Sequence, residues 1–374
     1  MSEAPQKILC VFGTRPEAIK MAPIIHRLAE QPEAFETRIL ATAQHREMLD
    51  QVLRIFAIRP DRDLNIMQAN QTLAQVTSRV LNEMVSYLEA NPCDVVLAQG
   101  DTTTVMATAM ACFYTRTRFG HVEAGLRTRN LHSPYPEEFN RKVAGILGDY
   151  HFAPTRTSAT NLLADGTDPK TIHVTGNSVI DALFYILAHT QPPPSPIPAD
   201  TPYVLMTCHR RENFGERARA IFETIREVAR RRPDLFFWYP VHPNPNVKVP
   251  AHEILGAQPN VLLTEPLDYV EFVHAMSGAL LMLSDSGGVQ EEAPSLGKPV
   301  LVLRDDTERP EGVEAGTCRL VGADPESIRS QLDLLLDDSA AYKQMARTRN
   351  PYGDGKTAGR IADILRGLRP EPWE

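Results

Sequence analysis

The sequence predicts an α/β protein built from two Rossmann-like halves. Three observations support this: a length of 374 residues, short apolar runs that alternate with amphipathic stretches, and one proline-rich interruption near the middle. Length alone favours about two domains. Near-continuous apolar strands separated by helices are typical of parallel sheets covered on both faces.

The first half alternates regularly between the two element types. Runs rich in Val, Ile and Leu predict buried strands, and the amphipathic segments between them predict helices. The predicted strands are Ile8–Phe12, Arg38–Thr42, Asp94–Ala98 and Phe119–Val122, and the predicted helices are Ala18–Glu30, His45–Phe56, Thr72–Glu89 and Thr103–Tyr114.

The alternation stops at Gln191–Asp200, which contains five prolines in ten residues. Proline lacks a backbone N–H and fixes φ, so this segment cannot be a helix or a central strand. We predict an extended, semi-rigid linker rather than a recognition motif. The linker separates an N-terminal domain, 1–190, from a C-terminal domain, 201–350, and leaves a tail, 351–374.

The second half repeats the pattern of the first. A ligand of such an architecture is expected at the carboxyl ends of the strands, between the halves. The predicted strands are Tyr203–Thr207, Leu235–Val241, Val261–Leu263, Ala279–Ser284 and Pro299–Leu303, and the predicted helices are Glu216–Arg231, Tyr269–Met276, Val289–Leu296 and Pro325–Leu336.

Composition excludes several classes of protein. The chain has 39 basic and 47 acidic residues and a net charge of −8, which argues against a nucleic-acid partner. Five scattered cysteines without a Cys-x-x-Cys pair argue against a disulfide framework or a zinc ribbon. No apolar stretch approaches the ~18 residues of a membrane span, and no secretory signal is evident. We therefore expect a soluble, cytoplasmic protein without a membrane partner.

The first predicted strand ends in a turn suited to an anion. Gly13 permits a tight turn, and Pro16 suits the first turn of a helix. Arg15 then lies at a helix N-terminus, where the dipole and the unpaired N–H groups favour a phosphate. The alternative is an ordinary capped helix with solvated Arg15 and Lys20.

Three acids follow predicted strands or begin a helix. Asp101 and Glu123 come directly after two neighbouring strands, and Glu137 follows two prolines at a helix start. Each of them alone fits a helix cap or a partner of the helix dipole. If they met in one cleft, they would raise one another's pKa values and allow general acid–base catalysis.

The second half carries corresponding features at its strand ends. His209 follows the first strand, whereas Pro240–Asn246 fits a turn better than a catalytic site, and Cys208 fits a small buried thiol. The most specific cluster offers a hydroxyl and accessible backbone amides to phosphate oxygens, with a carboxylate for a ribose diol and a nearby guanidinium. Its residues are Ser286, Gly287, Gly288, Glu292 and Arg309.

Together these motifs resemble the non-hydrolysing UDP-N-acetylglucosamine 2-epimerases. They occur in the family's order over nearly the whole chain. The matching motifs are GTRPEAIK (13–20), AQHREMLDQV (43–52), QGDTTT (99–104), HVEAGLRT (121–128), PEEFNR (136–141), TGN (175–177), CHRREN (208–213), PVHPNPNV (240–247), SDSGGVQEEAPSLGKPV (284–300) and DDTERPE (305–311).

The resemblance implies a glycosyltransferase-B-like fold with the ligand in the interdomain cleft. It implies that the segment Asn350–Leu368 crosses back to the first domain. The family inverts carbon 2 of UDP-N-acetylglucosamine to give UDP-N-acetylmannosamine, a precursor of cell-surface polysaccharides, by eliminating and re-adding UDP. A homodimer is the family expectation, and no cofactor, metal or nicotinamide is implied.

The resemblance also implies roles for individual residues. Asp101, Glu123 and Glu137 match the catalytic acids, and His209 matches the catalytic-site histidine. Arg15 and Lys20 match ligand contacts of the first domain. The UDP contacts of the second domain match Leu267 and Phe272 for uracil, Ser286, Gly287, Gly288 and Arg309 for the diphosphate, and Glu292 for the ribose.

Many bacterial members are activated by a second UDP-N-acetylglucosamine. Gln44, Glu138, Arg210 and His242 fall in motifs that match this regulatory site. However, Glu47 stands where activated members often have Gln, and Asn70 where they often have Arg. Because a carboxylate repels a diphosphate, we predict weak or absent activation.

Four alternatives remain open from the sequence. Relatives with the same motifs act on modified UDP-2-acetamido sugars. A glycosyltransferase of the same fold would share Gly287, Gly288 and Glu292 but would not need the acids. A non-catalytic sugar-nucleotide sensor would need neither the acids nor His209. A hydrolysing epimerase would release UDP.

Overall fold

The structure is a computed structural model that describes residues 4–42, 46–66 and 71–373, without the side chains of 46–48. It divides into two compact units. The first comprises the described residues of Met1–Ala182 and Tyr352–Glu374, and the second is Leu183–Pro351. Within the described ranges, no helix is long and apolar enough to cross a membrane.

The first unit contains a parallel sheet of seven described strands in the order β3-β2-β1-β4-β5-β6-β7. The strands are β1 (Gln6–Phe12), β2 (Phe35–Ala41), β3 (Arg62–Asp63), β4 (Val95–Gln99), β5 (Arg118–Val122), β6 (Tyr150–Ala153) and β7 (Ile172–Val174). The helices are α1 (Arg15–Ala29), α2 (Arg46–Ile55), α3 (Leu73–Ala90), α4 (Thr103–Thr115), α5 (Glu137–Leu147), α6 (Arg156–Ala164) and α7 (Ser178–His189), which continues into the second unit.

The second unit contains a parallel sheet of six strands in the order β10-β9-β8-β11-β12-β13 among its described residues. The strands are β8 (Tyr203–Thr207), β9 (Phe236–Pro240), β10 (Val261–Thr264), β11 (Leu281–Ser284), β12 (Val300–Val302) and β13 (Cys318–Leu320). The helices are α8 (Glu216–Arg231), α9 (Pro245–Leu255), α10 (Tyr269–Gly278), α11 (Gly287–Glu292), α12 (Pro310–Ala315), α13 (Pro325–Asp337) and α14 (Ser339–Arg347).

The C-terminal segment belongs to the first unit, where α15 (Thr357–Leu365) packs against α1. The carboxylate of Asp181 accepts hydrogen bonds from the backbone N–H groups of Thr357 and Ala358, so it caps this helix from another part of the chain. The helix is shorter than Asn350–Leu368 because Gly355, with φ of 78°, precedes it in a left-handed conformation.

The predicted fold class is confirmed, since both sheets are parallel and alternate with helices. The apolar strands explain this order, because all five residues of β4 are buried and only a sheet covered on both faces buries both sides of a strand. The predicted bounds of β8 and α8 coincide with the observed ones.

One local prediction in the second unit was wrong. The helix predicted at Val289–Leu296 is split into α11 and a 3-10 turn, Ala293–Leu296, because Pro294 has no N–H for a continuing helix. Between β9 and α9, residues 241–244 form a short loop with a bend, which agrees with the turn predicted at Pro240–Asn246. Asn244 caps this helix and Pro245 occupies its first turn.

The proline-rich segment has no helix or strand and packs against its own unit. Ile197 is buried, and a cavity of about 380 Å³ separates the segment from Trp238 and His274. Residues 196–197 bend and residues 199–200 form a turn, so the segment is not extended throughout, and its role as a linker stays a prediction.

Candidate active site residues

The turn between β1 and α1 is organised by a buried carboxylate. Oε2 of Glu17 accepts hydrogen bonds from the backbone N–H groups of Gly13, at 2.9 Å, and Thr14, at 2.6 Å. Its Oε1 accepts the hydroxyl of Thr102 at 2.6 Å. Burial raises the pKa of Glu17, and these hydrogen bonds partly offset that effect. Glu17 thus ties the turn that carries Arg15, the first residue of α1, to the loop that carries Asp101.

Asp101 lies just past the end of β4 and is held by α5. Its Oδ2 accepts hydrogen bonds from Arg141, with Nε at 2.8 Å and Nη2 at 2.7 Å. The side-chain amide of Asn140 donates to the backbone carbonyl of Asp101 at 2.8 Å. Both the backbone and the carboxylate of Asp101 are therefore fixed by one helix.

Glu123 follows β5, the neighbouring strand. Its Oε2 accepts hydrogen bonds from Lys20 Nζ and from Gln99 Nε2, each at 2.5 Å. Its φ of 62° places it in the left-handed region, which residues other than glycine rarely adopt. Such backbone strain is concentrated at functional sites. Lys20, which the resemblance assigns to the ligand, lies against this acid.

A buried histidine joins these two strand ends. Nε2 of His121 lies 2.7 Å from the carbonyl of Gly100, and the N–H of Gly100 donates to Val122. Burial lowers the pKa of His121 to about 3, so the ring is neutral at neutral pH. Because a carbonyl only accepts, Nε2 carries the ring proton. His121 therefore fixes the backbone directly before Asp101.

Glu137 and Glu138 begin α5 but differ in environment. Glu137 is half-buried at the helix start. Glu138 is fully buried, and its carboxylate accepts hydrogen bonds from the backbone N–H groups of Thr128, at 3.0 Å, and Arg129, at 3.1 Å. Glu138 thus holds the loop after β5, while its regulatory role stays a prediction.

In the second unit, His209 is held by a carboxylate that the sequence analysis did not single out. Asp285 is fully buried after β11, and its Oδ2 accepts the backbone N–H groups of His209 and Arg210, both at 2.8 Å. The side-chain amide of Asn213 also donates to it. His209 Nδ1 lies 3.1 Å from Oδ1.

The charge state of Asp285 follows from these contacts. Burial alone would raise the pKa of Asp285, but the hydrogen bond and charge of His209 and the backbone N–H groups outweigh burial. The pKa is therefore below its usual value, and the carboxylate is ionised at neutral pH. The ionised carboxylate lies within ion-pair distance of Nδ1 and favours this orientation of the His209 ring.

The turn between β11 and α11 places a guanidinium directly over a glycine. A Cβ added at Gly287 would lie 3.3 Å from Arg309 Cζ. Arg309 itself is held by Glu291, with Nε at 2.8 Å from Oε1, and by Glu308, with Nη1 at 3.1 Å from Oε2. The predicted diphosphate residues Gly287 and Arg309 are therefore neighbours, and the missing side chain makes room for the guanidinium.

The other predicted UDP contacts lie on the same unit. Glu292 ends α11, and its Oε2 accepts the hydroxyl of Tyr269 at 3.3 Å. Ser286 precedes α11, and its N–H donates to Ser284 at 3.0 Å. Leu267 and Phe272 are half-buried on either side of the start of α10.

The remaining regulatory candidates are only partly described. His242 is exposed, and its ring stacks on His209 with centroids 5.8 Å apart. Arg210 is half-buried, and its Nε is buried without a hydrogen bond to the residues described. Gln44, Asn70 and the side chain of Glu47 lie outside the described part, so weak activation stays a prediction.

We expect Gly287→Ala to weaken UDP binding about 10–100-fold, because a lost charge-assisted hydrogen bond costs about 1.5–3 kcal/mol. The new methyl group would push the Arg309 guanidinium away. Calorimetric titration with UDP measures this effect. In an Arg309→Ala background the same change should have little further effect, and an equally large loss there would contradict the explanation.

Three side chains that support the predicted site were not predicted from the sequence: Glu17, Arg141 and Asp285. All three lie inside motifs that were singled out, and their charged side chains were the available signal. What these side chains contact depends on residues 40 to 85 positions away.

Comparisons with known proteins agree over nearly the whole chain. A family model described as UDP-N-acetylglucosamine 2-epimerase matches residues 26–366. The UDP-N-acetylglucosamine 2-epimerase of Escherichia coli (strain K12) is 51% identical, covering 97% of this chain and 99% of that protein. The UDP-N-acetylglucosamine 2-epimerase of Bacillus subtilis (strain 168) is 49% identical, covering 96% of this chain and 94% of that protein.

A solved structure extends the agreement to the fold. The UDP-GlcNAc 2-epimerase from Neisseria meningitidis, in a crystal structure bound to UDP-GlcNAc, matches with a TM-score of 0.87 and 46% identity. The match covers 97% of this chain and 100% of that chain. The chain therefore belongs to the UDP-N-acetylglucosamine 2-epimerase family.

Proposed function

We propose that this protein catalyses the reversible epimerisation of UDP-N-acetylglucosamine at carbon 2, giving UDP-N-acetylmannosamine. The observation that carries the proposal is the pair of acids Asp101 and Glu123 at neighbouring strand ends, each held through one carboxylate oxygen by a cationic side chain. A chain in this family with both acids in place has the groups that proton transfer requires. The reaction makes it an isomerase and needs no nicotinamide.

The proton on carbon 2 of the intact sugar is barely acidic, so the proposed route removes it only as the bond to UDP breaks. One protein group removes the proton from carbon 2 while the bond between carbon 1 and the UDP oxygen breaks, giving 2-acetamidoglucal and UDP. UDP then adds back to carbon 1, and a proton is delivered to the other face of carbon 2. Atoms balance over the cycle, and no redox step occurs.

The two units supply different parts of this chemistry. The first carries the acids Asp101, Glu123 and Glu137 for proton transfer. The second carries the groups for UDP, because Arg309 and the amides around Gly287 suit a diphosphate. These groups would keep UDP bound while the glucal is present. The enzyme needs this because the intermediate must recombine with the same nucleotide.

Incubation with UDP-N-acetylglucosamine in heavy water tests the proposal. We expect UDP-N-acetylmannosamine with deuterium at carbon 2 and little UDP in solution. Stoichiometric release of UDP would instead indicate a hydrolysing enzyme. If only a modified UDP-2-acetamido sugar were turned over, that sugar would be the substrate in place of UDP-N-acetylglucosamine. Sugar transfer to an acceptor would indicate a glycosyltransferase.

We further propose a cytoplasmic homodimer that supplies cell-surface polysaccharide synthesis. An exposed apolar face on α4 and α5 supports the dimer: Phe113, Tyr114, Phe139 and Ile146 are 65, 62, 48 and 82% exposed. Burying such a face against a second copy removes apolar surface from water. Light scattering should give twice the mass of the chain, and Ile146→Arg should shift it towards the monomer.

A further inference from the structure

Arg141 joins two carboxylates in the first unit. Its Nε and Nη2 both contact Oδ2 of Asp101, at 2.8 and 2.7 Å, and its Nη1 donates to Oε2 of Glu138 at 3.1 Å. The Arg141 side chain is only 6% exposed, and that of Glu138 is fully buried. The planar guanidinium is therefore held at both ends in one orientation.

The contacts on Asp101 are one-sided. Every side-chain hydrogen bond to its carboxylate falls on Oδ2, and Oδ1 has none within the described ranges. The Asp101 side chain is 28% exposed, so the carboxylate is accessible to a ligand. Rotation of the carboxylate would break the contacts with Arg141, and Asn140 holds the backbone carbonyl of the same residue.

We propose that Arg141 is a positioning residue that makes Oδ1 the oxygen of Asp101 that exchanges a proton with the sugar. The proposal rests on the proposed epimerase function. Holding Oδ2 orients the lone pairs of Oδ1, and proton transfer depends steeply on such alignment. Arg141 touches the acid and not the reacting atoms, so it acts through Asp101.

Glu138 holds the other end of the Arg141 guanidinium through Nη1. It also accepts the N–H groups of Thr128 and Arg129, in the loop that follows Glu123. One buried ion cluster thus fixes Asp101 relative to the loop after the neighbouring acid. A neutral residue at 141 would leave Glu138 as a buried charge without its cation, which is costly.

Arg141→Ala and Arg141→Lys test the proposal. We expect Arg141→Ala to lower kcat about 10–100-fold, as for other residues that orient a reacting group, and to change KM for UDP-N-acetylglucosamine less than about threefold. The kcat of Arg141→Lys should lie between those of the wild type and Arg141→Ala, because an ammonium keeps the charge but lacks the planar set of N–H donors of a guanidinium. Added guanidinium should partly restore kcat of Arg141→Ala and leave the wild type unchanged.

Arg127→Ala is the matched control. Its side chain is 3% exposed and is paired with Asp165 at 2.7 Å, so it is an equally buried arginine without a catalytic acid as partner. We expect a comparable loss of thermal stability, nearly unchanged kcat and no response to guanidinium.

Three outcomes would overturn the inference. The first is a kcat of Arg141→Ala within threefold of wild type. The second is a loss confined to KM, and the third is an equal loss of kcat in Arg127→Ala. Failure of the wild-type chain to epimerise would instead overturn the proposed function, so the two failures are distinguishable. Should Arg141→Ala not fold, Arg141→Lys gives the same kcat-against-KM comparison.

Discussion

Asp101→Asn should abolish most turnover and leave substrate binding nearly intact. The amide can turn its oxygen towards Arg141 and keep the contact that Oδ2 now makes. An NH2 group then replaces Oδ1 and cannot accept a proton. Loss of a general acid–base group costs about 10²–10⁴ in rate. Initial rates with UDP-N-acetylglucosamine measure kcat, and titration calorimetry measures the dissociation constant.

The control for this change is Asp165→Asn. Asp165 is also paired with an arginine, Arg127, but it contacts none of the three acids in the described part of the chain. We expect activity close to wild type. Asp101→Asn retaining most of its activity would show that another group moves the proton. A large loss of binding would show that Asp101 holds the substrate instead.

Asp285→Asn should lower kcat by at least about 100-fold through His209. The carboxylate accepts two backbone N–H groups and lies 3.1 Å from Nδ1 of the ring. An amide offers one oxygen, and its NH2 group would face N–H donors. The orientation of His209 would be lost, as expected when the partner of a catalytic imidazole is removed.

A measurement of stability distinguishes the loss of kcat in Asp285→Asn from a loss of folded protein. Replacing this buried acceptor by an amide should lower the free energy of unfolding by about 1–3 kcal/mol, which denaturant titration measures. Asp333→Asn, in an ion pair with Arg231 at the surface, is the control, and surface pairs contribute about 0–1 kcal/mol. A folded Asp285→Asn protein with wild-type kcat would refute the role of Asp285.

The sequence predicted those features of the site that depend on chain order. Asp101 and Glu123 follow consecutive apolar strands, and parallel neighbours end at the same edge of a sheet. The pairing of β4 with β5, from Val95 opposite Arg118 to Gln99 opposite Val122, brings these strand ends side by side. Strand ends could therefore be predicted from the hydrophobic pattern alone.

The partners of the acids could not be predicted in this way. Arg141 was part of a quoted motif, yet nothing in its local pattern distinguishes an arginine that binds Asp101 from a solvated arginine on α5. The same holds for Asp285, which as a short acid before a helix fits an N-cap equally well. Each was decided by a contact between elements far apart in sequence.

The sequence by itself determined the two parallel sheets, the strand ends that carry the acids and the family. These depend on periodicity, on turn residues and on motif order, all of which are local. Only the tertiary structure decided that Oδ2 of Asp101 belongs to Arg141 and that Asp285 holds His209. The physical reason is that a hydrogen bond requires a particular distance and angle between donor and acceptor, and these groups come together only after the sheets have formed.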